Sequence, residues 1–229
     1  MTSKPILFSG QIVRAILEGR KTQTRRAVKG RPAYTPNAAR CQLNAKIDEP
    51  WWQWLDADGS YHGDSAKCPY GIPGDRLWVR ETWQEIGSDR PAGYWTNPAL
   101  KGKDFWYRAT DDLPTWGGKW KPSIYMPRMA SRLTLEITGV RVERLQEITA
   151  TDAHAEGIAY AELSPSQEKR VCRKRSAAQF VGKPELVNDI NFAAIQKYAV
   201  LWDSINGKKH PWASNPWVFV ISFERIEAK

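Results

Sequence analysis

The residues with the clearest potential for chemistry lie in one short stretch, 19–26, which reads Gly-Arg-Lys-Thr-Gln-Thr-Arg-Arg. A threonine hydroxyl such as that of Thr24 becomes a nucleophile when a nearby base takes its proton. Lys21 could be that base if its pKa falls well below about 10.4, the value of a free lysine. Burial and neighbouring cations lower a lysine pKa, and the three arginines of the stretch are candidates for those cations.

The same residues also have an ordinary structural interpretation. Ile12, Val13, Ile16 and Leu17 recur at helical spacing, which predicts an amphipathic helix over 11–18. Gly19 then occupies the usual stop position, and the cations that follow would be stabilised by the partial negative charge of a helix C-terminus. On this interpretation Lys21 is a helix-end cation and Thr24 is one β-branched residue of a strand.

The elements around this stretch predict an α+β domain. Alternating apolar and polar residues predict strands over 76–81 and 131–145, and Gly139 predicts a bulge in the second. Further strands are predicted at 5–8, 105–108 and 216–223. Helices are predicted at 152–156, capped by Thr149 or Thr151, and from 184 or 185 to 205.

The chain as a whole, 1–229, is predicted to be a single domain with insertions. The insertions fall at about 29–67 and 86–121, and a basic loop is expected at about 162–185. Asp58-Gly59 predicts a hairpin turn in the first insertion. Its neighbouring tryptophans are expected either to pack on the main sheet or to form a stacking surface.

Composition narrows the classes of partner and compartment. A net charge of +9 with 12 tryptophans is typical of proteins that bind RNA or single-stranded nucleic acid, although a basic protein without such a partner is the simpler alternative. The three dispersed cysteines, Cys41, Cys68 and Cys172, favour a reducing compartment. Cys41, His62 and Cys68 could be considered as metal ligands, but their spacing matches no known zinc-binding pattern. We expect no metal, no cofactor, no membrane segment and a cytoplasmic location.

Six blocks of sequence together resemble one family. They are the segment GRKTQTRR, the block G-x-P-G-D-R-L-W-V-R-E-T-W, the strand SRLTLEITGVRVERLQ, and the shorter AHAEGI, LWDSING and NPWVFVISFERI. In this order they resemble the phage- and prophage-encoded ASCH-domain proteins, over nearly the full chain apart from the insertions. The resemblance implies a PUA-like small β-barrel with flanking helices, in which the G-x-K-x-x-[TE]-x-R segment lies in a cleft.

The resemblance also implies an activity. Some small bacterial ASCH proteins hydrolyse the acetyl amide of N4-acetylcytidine with a Lys and a Thr from this segment and a Glu from the short helix after the long strand. The matching positions here are Lys21, Thr24 and Glu156. The alternative for Glu156 is a surface residue or a salt-bridge partner of Arg26, and Glu81 is a competing carboxylate for the same cleft.

The substrate-binding positions follow from the same expectation. Arg26 or a backbone N–H could hold the oxyanion, and Trp78, Trp106 or Tyr107 could stack on a pyrimidine. Three hypotheses remain open: an amidohydrolase acting on an acylated cytidine, a non-catalytic module that binds RNA or a modified base, and a phage protein-interaction module that uses the tryptophan insertions.

Overall fold

The structure, a computed structural model, describes seven parts of the chain, namely residues 1–29, 40–44, 51–55, 58–86, 104–112, 118–158 and 190–226. The predicted basic loop at 162–185 lies outside these residues, as do parts of both predicted insertions. The described residues form an α+β domain with three sheets and few helices, which confirms the predicted class.

Five strands make up the main sheet. Their order is β1 (Ser3–Leu7), β6 (Arg76–Arg80), β9 (Thr134–Arg144), β10 (Trp217–Ile226) and β2 (Gln23–Ala27). β1 runs parallel to β6, and the other neighbours pair antiparallel. The hydrogen-bonded order therefore begins and ends with the first two strands of the chain, β1 and β2.

The long strand contains the predicted irregularity. Ser222 of β10 pairs with Gly139, whereas Phe223 pairs with Ile137, so Thr138 is an extra residue on β9. Such a bulge bends a strand and increases its twist. The prediction of a bulge at Gly139 is confirmed to within one residue.

The core lies between the main sheet and α1 (Gly10–Leu17). The apolar face of α1 is buried, as its periodicity predicted. It packs on alternate residues of β6 and β9. The fully buried members of this core include Ile6, Val13, Leu77, Leu135, Ile137 and Ile221. β10 is instead buried on both faces, because Val218 and Val220 form a second core cluster with residues of the last helix.

A second sheet covers part of the main one. β3 (Arg40–Asn44), β4 (Trp51–Leu55) and β5 (Tyr61–Ala66) pair antiparallel, and the hairpin predicted around Asp58-Gly59 is confirmed between β4 and β5. Trp52 meets the ring of Phe219 edge-on at 5.4 Å between centroids, and Trp54 meets Trp217 at 6.3 Å. These two tryptophans therefore pack on the main sheet.

The remaining elements differ from the predictions mainly at their ends. α2 spans Ala150–Ala155, two residues earlier than predicted, because the side chain of Thr149 caps it by accepting a hydrogen bond from the Asp152 N–H. The described part of the last helix, α3, is Ile190–Asn206. In a small two-stranded sheet, β8 (Phe105–Tyr107) confirms the strand predicted at 105–108, and it pairs with β7 (Trp83–Glu85), which was not predicted.

Among the described residues, no helix combines the length and the apolar character needed to cross a membrane.

We expect Trp52→Ala to lower the free energy of unfolding by about 3–5 kcal/mol, since it removes a buried ring from the contact between the two sheets. Denaturant unfolding measures the change. Trp51→Ala is the matched control, because Trp51 is the neighbouring, less buried residue of β4 and points to the opposite face. Equal losses in the two variants would contradict the proposed packing.

Candidate active site

A close turn after α1 brings Lys21 to the end of α2. Gly19 adopts a positive φ of 72°, and the N–H groups of Arg20 and Lys21 both donate to the carbonyl of Ala15. Lys21 then forms an isolated β-bridge with Glu156, the residue that caps the C-terminus of α2. Local turn chemistry at two helix ends thus joins residues that are 135 positions apart.

Lys21 and Glu156 form a buried ion pair. The Lys21 Nζ lies 2.6 Å from the Glu156 Oε2, and their side chains are 1% and 4% exposed. The same ammonium donates to the backbone carbonyls of Gln23 at 2.7 Å and Glu156 at 2.9 Å. All three of its N–H donors are therefore used.

Arg25 holds the other side of Glu156. Its guanidinium contacts the carboxylates of Glu143 at 2.6 Å, Asp152 at 3.0 Å and Glu156 at 3.4 Å. The hydroxyl of Tyr198, on α3, lies 3.5 Å from the same Glu156 Oε1 that faces Arg25. Each oxygen of the Glu156 carboxylate thus has its own partners, which fixes the orientation of the group.

The environment changes the proton affinities of two of these groups. Burial is the main cause that lowers the pKa of Lys21, and the charges of Arg26 and Arg25 lower it further, against the opposing effect of Glu156. Burial and then Glu156 raise the pKa of Tyr198 well above its ordinary value. The Lys21 ammonium therefore loses its proton more readily than that of an exposed lysine, whereas Tyr198 keeps its proton and remains a hydroxyl donor.

Thr24 and Arg26 lie on the opposite face of β2 from Gln23 and Arg25, because side chains alternate along a strand. Thr24 is 4% exposed, and no described hydrogen bond joins it to Lys21. The guanidinium of Arg26 lies 5.3 Å from the centre of the Phe8 ring, and the Lys21 Nζ lies 5.9 Å from the same centre. Phe8 therefore borders both cations.

A groove of 360 Å³ adjoins this site. One wall is the polar face of α1, the other is the exposed side of α3, and Glu156, Gly157 and Ile158 form part of its lining. Of the three predicted catalytic residues, Glu156 belongs to the lining of this groove, whereas Lys21 and Thr24 do not.

Two other predicted site residues, Glu81 and Tyr107, lie around Arg132. The carboxylate of Glu81 is 1% exposed and takes two hydrogen bonds from Arg132, at 2.9 and 3.0 Å. Burial raises the pKa of Glu81 against the effect of Arg132, and it raises the pKa of Tyr107 to about 12. The Arg132 guanidinium lies 4.1 Å from the centre of the Tyr107 ring. Glu81 is thus engaged with Arg132.

The two predicted tryptophans have different surroundings. Trp106 is buried with Ile86 and packs against Trp120. Trp78 is half-buried on β6, with Arg80 and Arg128 within 6 Å of its ring. No described hydrogen bond or ion pair links Trp78, Glu81, Trp106 or Tyr107 to Lys21 or Glu156.

Sequence reasoning missed several members of the site. Gln23, Glu143, Asp152 and Tyr198 were not predicted as site residues, because they meet through contacts between distant elements and their own elements carry other polar residues. Arg25, rather than the expected Arg26, is the arginine that pairs with Glu156. Arg20, one of the cations expected to affect Lys21, pairs with Glu18 instead.

Three comparisons give this site no relative: no family model, no curated protein and no solved structure matches the chain. Among the described residues, no group of three or more His, Cys, Asp or Glu side chains is arranged to hold a metal ion.

The close packing of Gly157 against α1 and Lys21 can be tested by substitution. Its φ is +97°, and a Cβ there would lie 3.1 Å from the Cβ of Ala15 and 3.3 Å from that of Lys21. We expect Gly157→Ala to destabilise the protein by about 2–4 kcal/mol, from backbone strain and crowding together. Thermal or denaturant unfolding measures this loss.

Gly19→Ala is the matched control, because Gly19 also has a positive φ but no atom lies within 4 Å of its added Cβ. It should lose only about 1–2 kcal/mol, the cost of the backbone conformation. A larger loss for Gly19→Ala than for Gly157→Ala would contradict the close contact at the site.

Proposed function

We propose that this chain is an ASCH-type amidohydrolase that removes the acyl group of an N4-acylated cytidine. One observation carries the proposal. Lys21 and Glu156, the two residues that the resemblance paired across most of the chain, lie 2.6 Å apart in a buried site. A buried lysine with a lowered pKa beside a carboxylate is characteristic of acid–base chemistry.

We also propose a PUA-like barrel for the main sheet. The support is a contact between the two end strands of the hydrogen-bonded order, in which the Arg26 Nη2 of β2 donates to the carbonyl of Leu7 in β1 at 2.8 Å. This bond brings together the edges that a closed barrel would join.

The proposed reaction begins when the Lys21 Nζ has lost a proton to solvent, a loss that burial favours. The Glu156 carboxylate, 2.6 Å from this nitrogen, then orients the amine. The neutral amine then takes the proton of the Thr24 hydroxyl as its oxygen attacks the acyl carbon of the amide. For this step Lys21 must turn from its present acceptors toward Thr24. Substrate binding would supply that change.

The second half of the reaction restores the site. The tetrahedral intermediate collapses, the carbon–nitrogen bond breaks, and the departing N4 takes the proton held by Lys21. Water then attacks the acyl ester on Thr24 and gives one proton to the Lys21 amine. That proton passes from Lys21 to the Thr24 oxygen as the carbon–oxygen bond breaks, which releases the carboxylic acid and restores the threonine hydroxyl and the neutral amine. Arg26 is the candidate for oxyanion stabilisation, since its buried Nε has no hydrogen-bond partner among the described residues.

A non-catalytic module that binds a modified base is the second candidate. The observation that favours it is the complete use of the Lys21 donors in the free protein, which suits a structural charge as well as a catalyst. The hypothesis of a tryptophan interaction face has less support, because Trp52 and Trp54 are only 3% and 2% exposed.

Release of cytidine from N4-acetylcytidine tests the proposal directly. We expect turnover by the wild type, loss of at least about a hundredfold in Thr24→Val, and partial retention in Thr24→Ser, which keeps a hydroxyl. Lys21→Met should lose activity similarly. Wild-type protein that binds the nucleoside without turnover would favour the second candidate, and full activity in Thr24→Val would exclude Thr24 as the nucleophile.

The pH dependence of kcat/KM tests the role of Lys21. Only the neutral amine acts as a base, so activity should rise with pH, with a midpoint below 10.5, the ordinary pKa of lysine, because burial lowers the pKa of Lys21. Arg26→Gln removes a cation that lowers this pKa, and the midpoint should therefore move to higher pH. An unchanged midpoint in Arg26→Gln would mean that another group titrates.

A further inference from the structure

We propose that a second surface of this protein binds single-stranded nucleic acid. The surface, called here the Trp78 patch, consists of Trp78, Arg80, Tyr125, Arg128 and Met129. It goes beyond the proposed hydrolase activity and does not depend on it. No described hydrogen bond or ion pair joins the patch to Lys21 or Glu156.

The patch begins on the outer face of β6. Leu77 and Val79 are buried in the core, so Arg76, Trp78 and Arg80 point to the other side of the strand. The guanidinium of Arg80 lies 5.3 Å from the centre of the Trp78 ring, and that of Arg128 lies 5.8 Å from it. Two cations therefore flank one half-buried tryptophan.

A short turn extends the patch into solvent. Arg80 fixes the turn, since its Nε donates to the carbonyl of Met126 at 3.0 Å and its Nη2 donates to that of Ile124. The turn exposes large apolar side chains: Ile124 is 54% exposed, Tyr125 68% and Met129 80%. Large apolar side chains exposed so close together in the sequence are typical of an interaction site.

The charge of the patch selects the kind of partner. Neither Arg80 nor Arg128 has an ion pair within the described part of the chain, unlike Arg25 and Arg132. The acidic residue nearest in strand register is Glu136, which pairs with Arg76, two positions before Trp78. Two arginines without carboxylate partners make a site for phosphates.

Aromatic and cationic groups together favour unpaired bases over a duplex or an acidic peptide. Bases of single strands stack on aromatic rings and on guanidinium planes, while nearby cations hold the backbone. Tyr125 offers an exposed ring, and the exposed Arg128 offers a guanidinium beside Trp78. In a duplex the bases are already stacked on one another, so these groups would contribute little to its binding.

Fluorescence anisotropy with a labelled RNA strand of about 12 nucleotides, within the usual site size, tests the proposal. We expect Tyr125→Ala and Arg128→Ala each to weaken binding by about fivefold or more, while Tyr125→Phe keeps the ring and the affinity. Lys209→Ala is the matched control for charge, because Lys209 is exposed and lies in the turn after α3. It should change affinity by less than about twofold.

The outcomes separate specific stacking from general attraction to a polyanion. Binding of an RNA strand or of a DNA strand of the same sequence supports the proposal, and a preference between them identifies the natural ligand. Equal losses in Arg128→Ala and Lys209→Ala, equal affinity for a duplex, or no binding by the wild type would overturn it. Because Tyr125 and Arg128 are exposed, melting curves of the variants should match that of the wild type.

Discussion

The site depends on one constraint: each buried charge must be matched by a nearby opposite charge. Removing an ion from water costs several kcal/mol, and only close opposite charges and hydrogen bonds offset that cost. Here the cations Lys21, Arg25 and Arg141 meet three carboxylates, those of Glu143, Asp152 and Glu156. The charges come from β2 and the turn before it, from β9, and from α2 and the residue that caps its C-terminus, so the ion network also fixes how these elements pack around the site.

The two ends of this network have different characters. Arg141 is 45% exposed, and its ion pairs add little to stability because solvent screens them. Lys21, at the other end, is 1% exposed, and there desolvation dominates and lowers its pKa. Burial therefore differs along one network, and Lys21, whose pKa it lowers, belongs to the buried part of that network, beside Phe8.

The tryptophans have two different roles, in packing between sheets and at the surface. Trp52 and Trp54 join the small sheet to the main one through edge-on contacts with Phe219 and Trp217. Trp78, in contrast, is flanked by two arginines on the outer face of β6. High tryptophan content thus reflects both packing between sheets and a cationic surface, and residue type alone does not distinguish the two.

The sequence by itself determined the local features: the helix before Gly19, the bulge near Gly139, the hairpin at Asp58-Gly59 and the spacing of Lys21 and Thr24. These depend on periodicity and turn chemistry, which act over a few residues. Only the tertiary structure decided which carboxylate pairs with Lys21, and that Arg25, not Arg26, holds it. The physical reason is that these ion pairs depend on burial and on contacts between residues more than a hundred positions apart. Periodicity and turn chemistry do not indicate which of such distant residues lie close together in space.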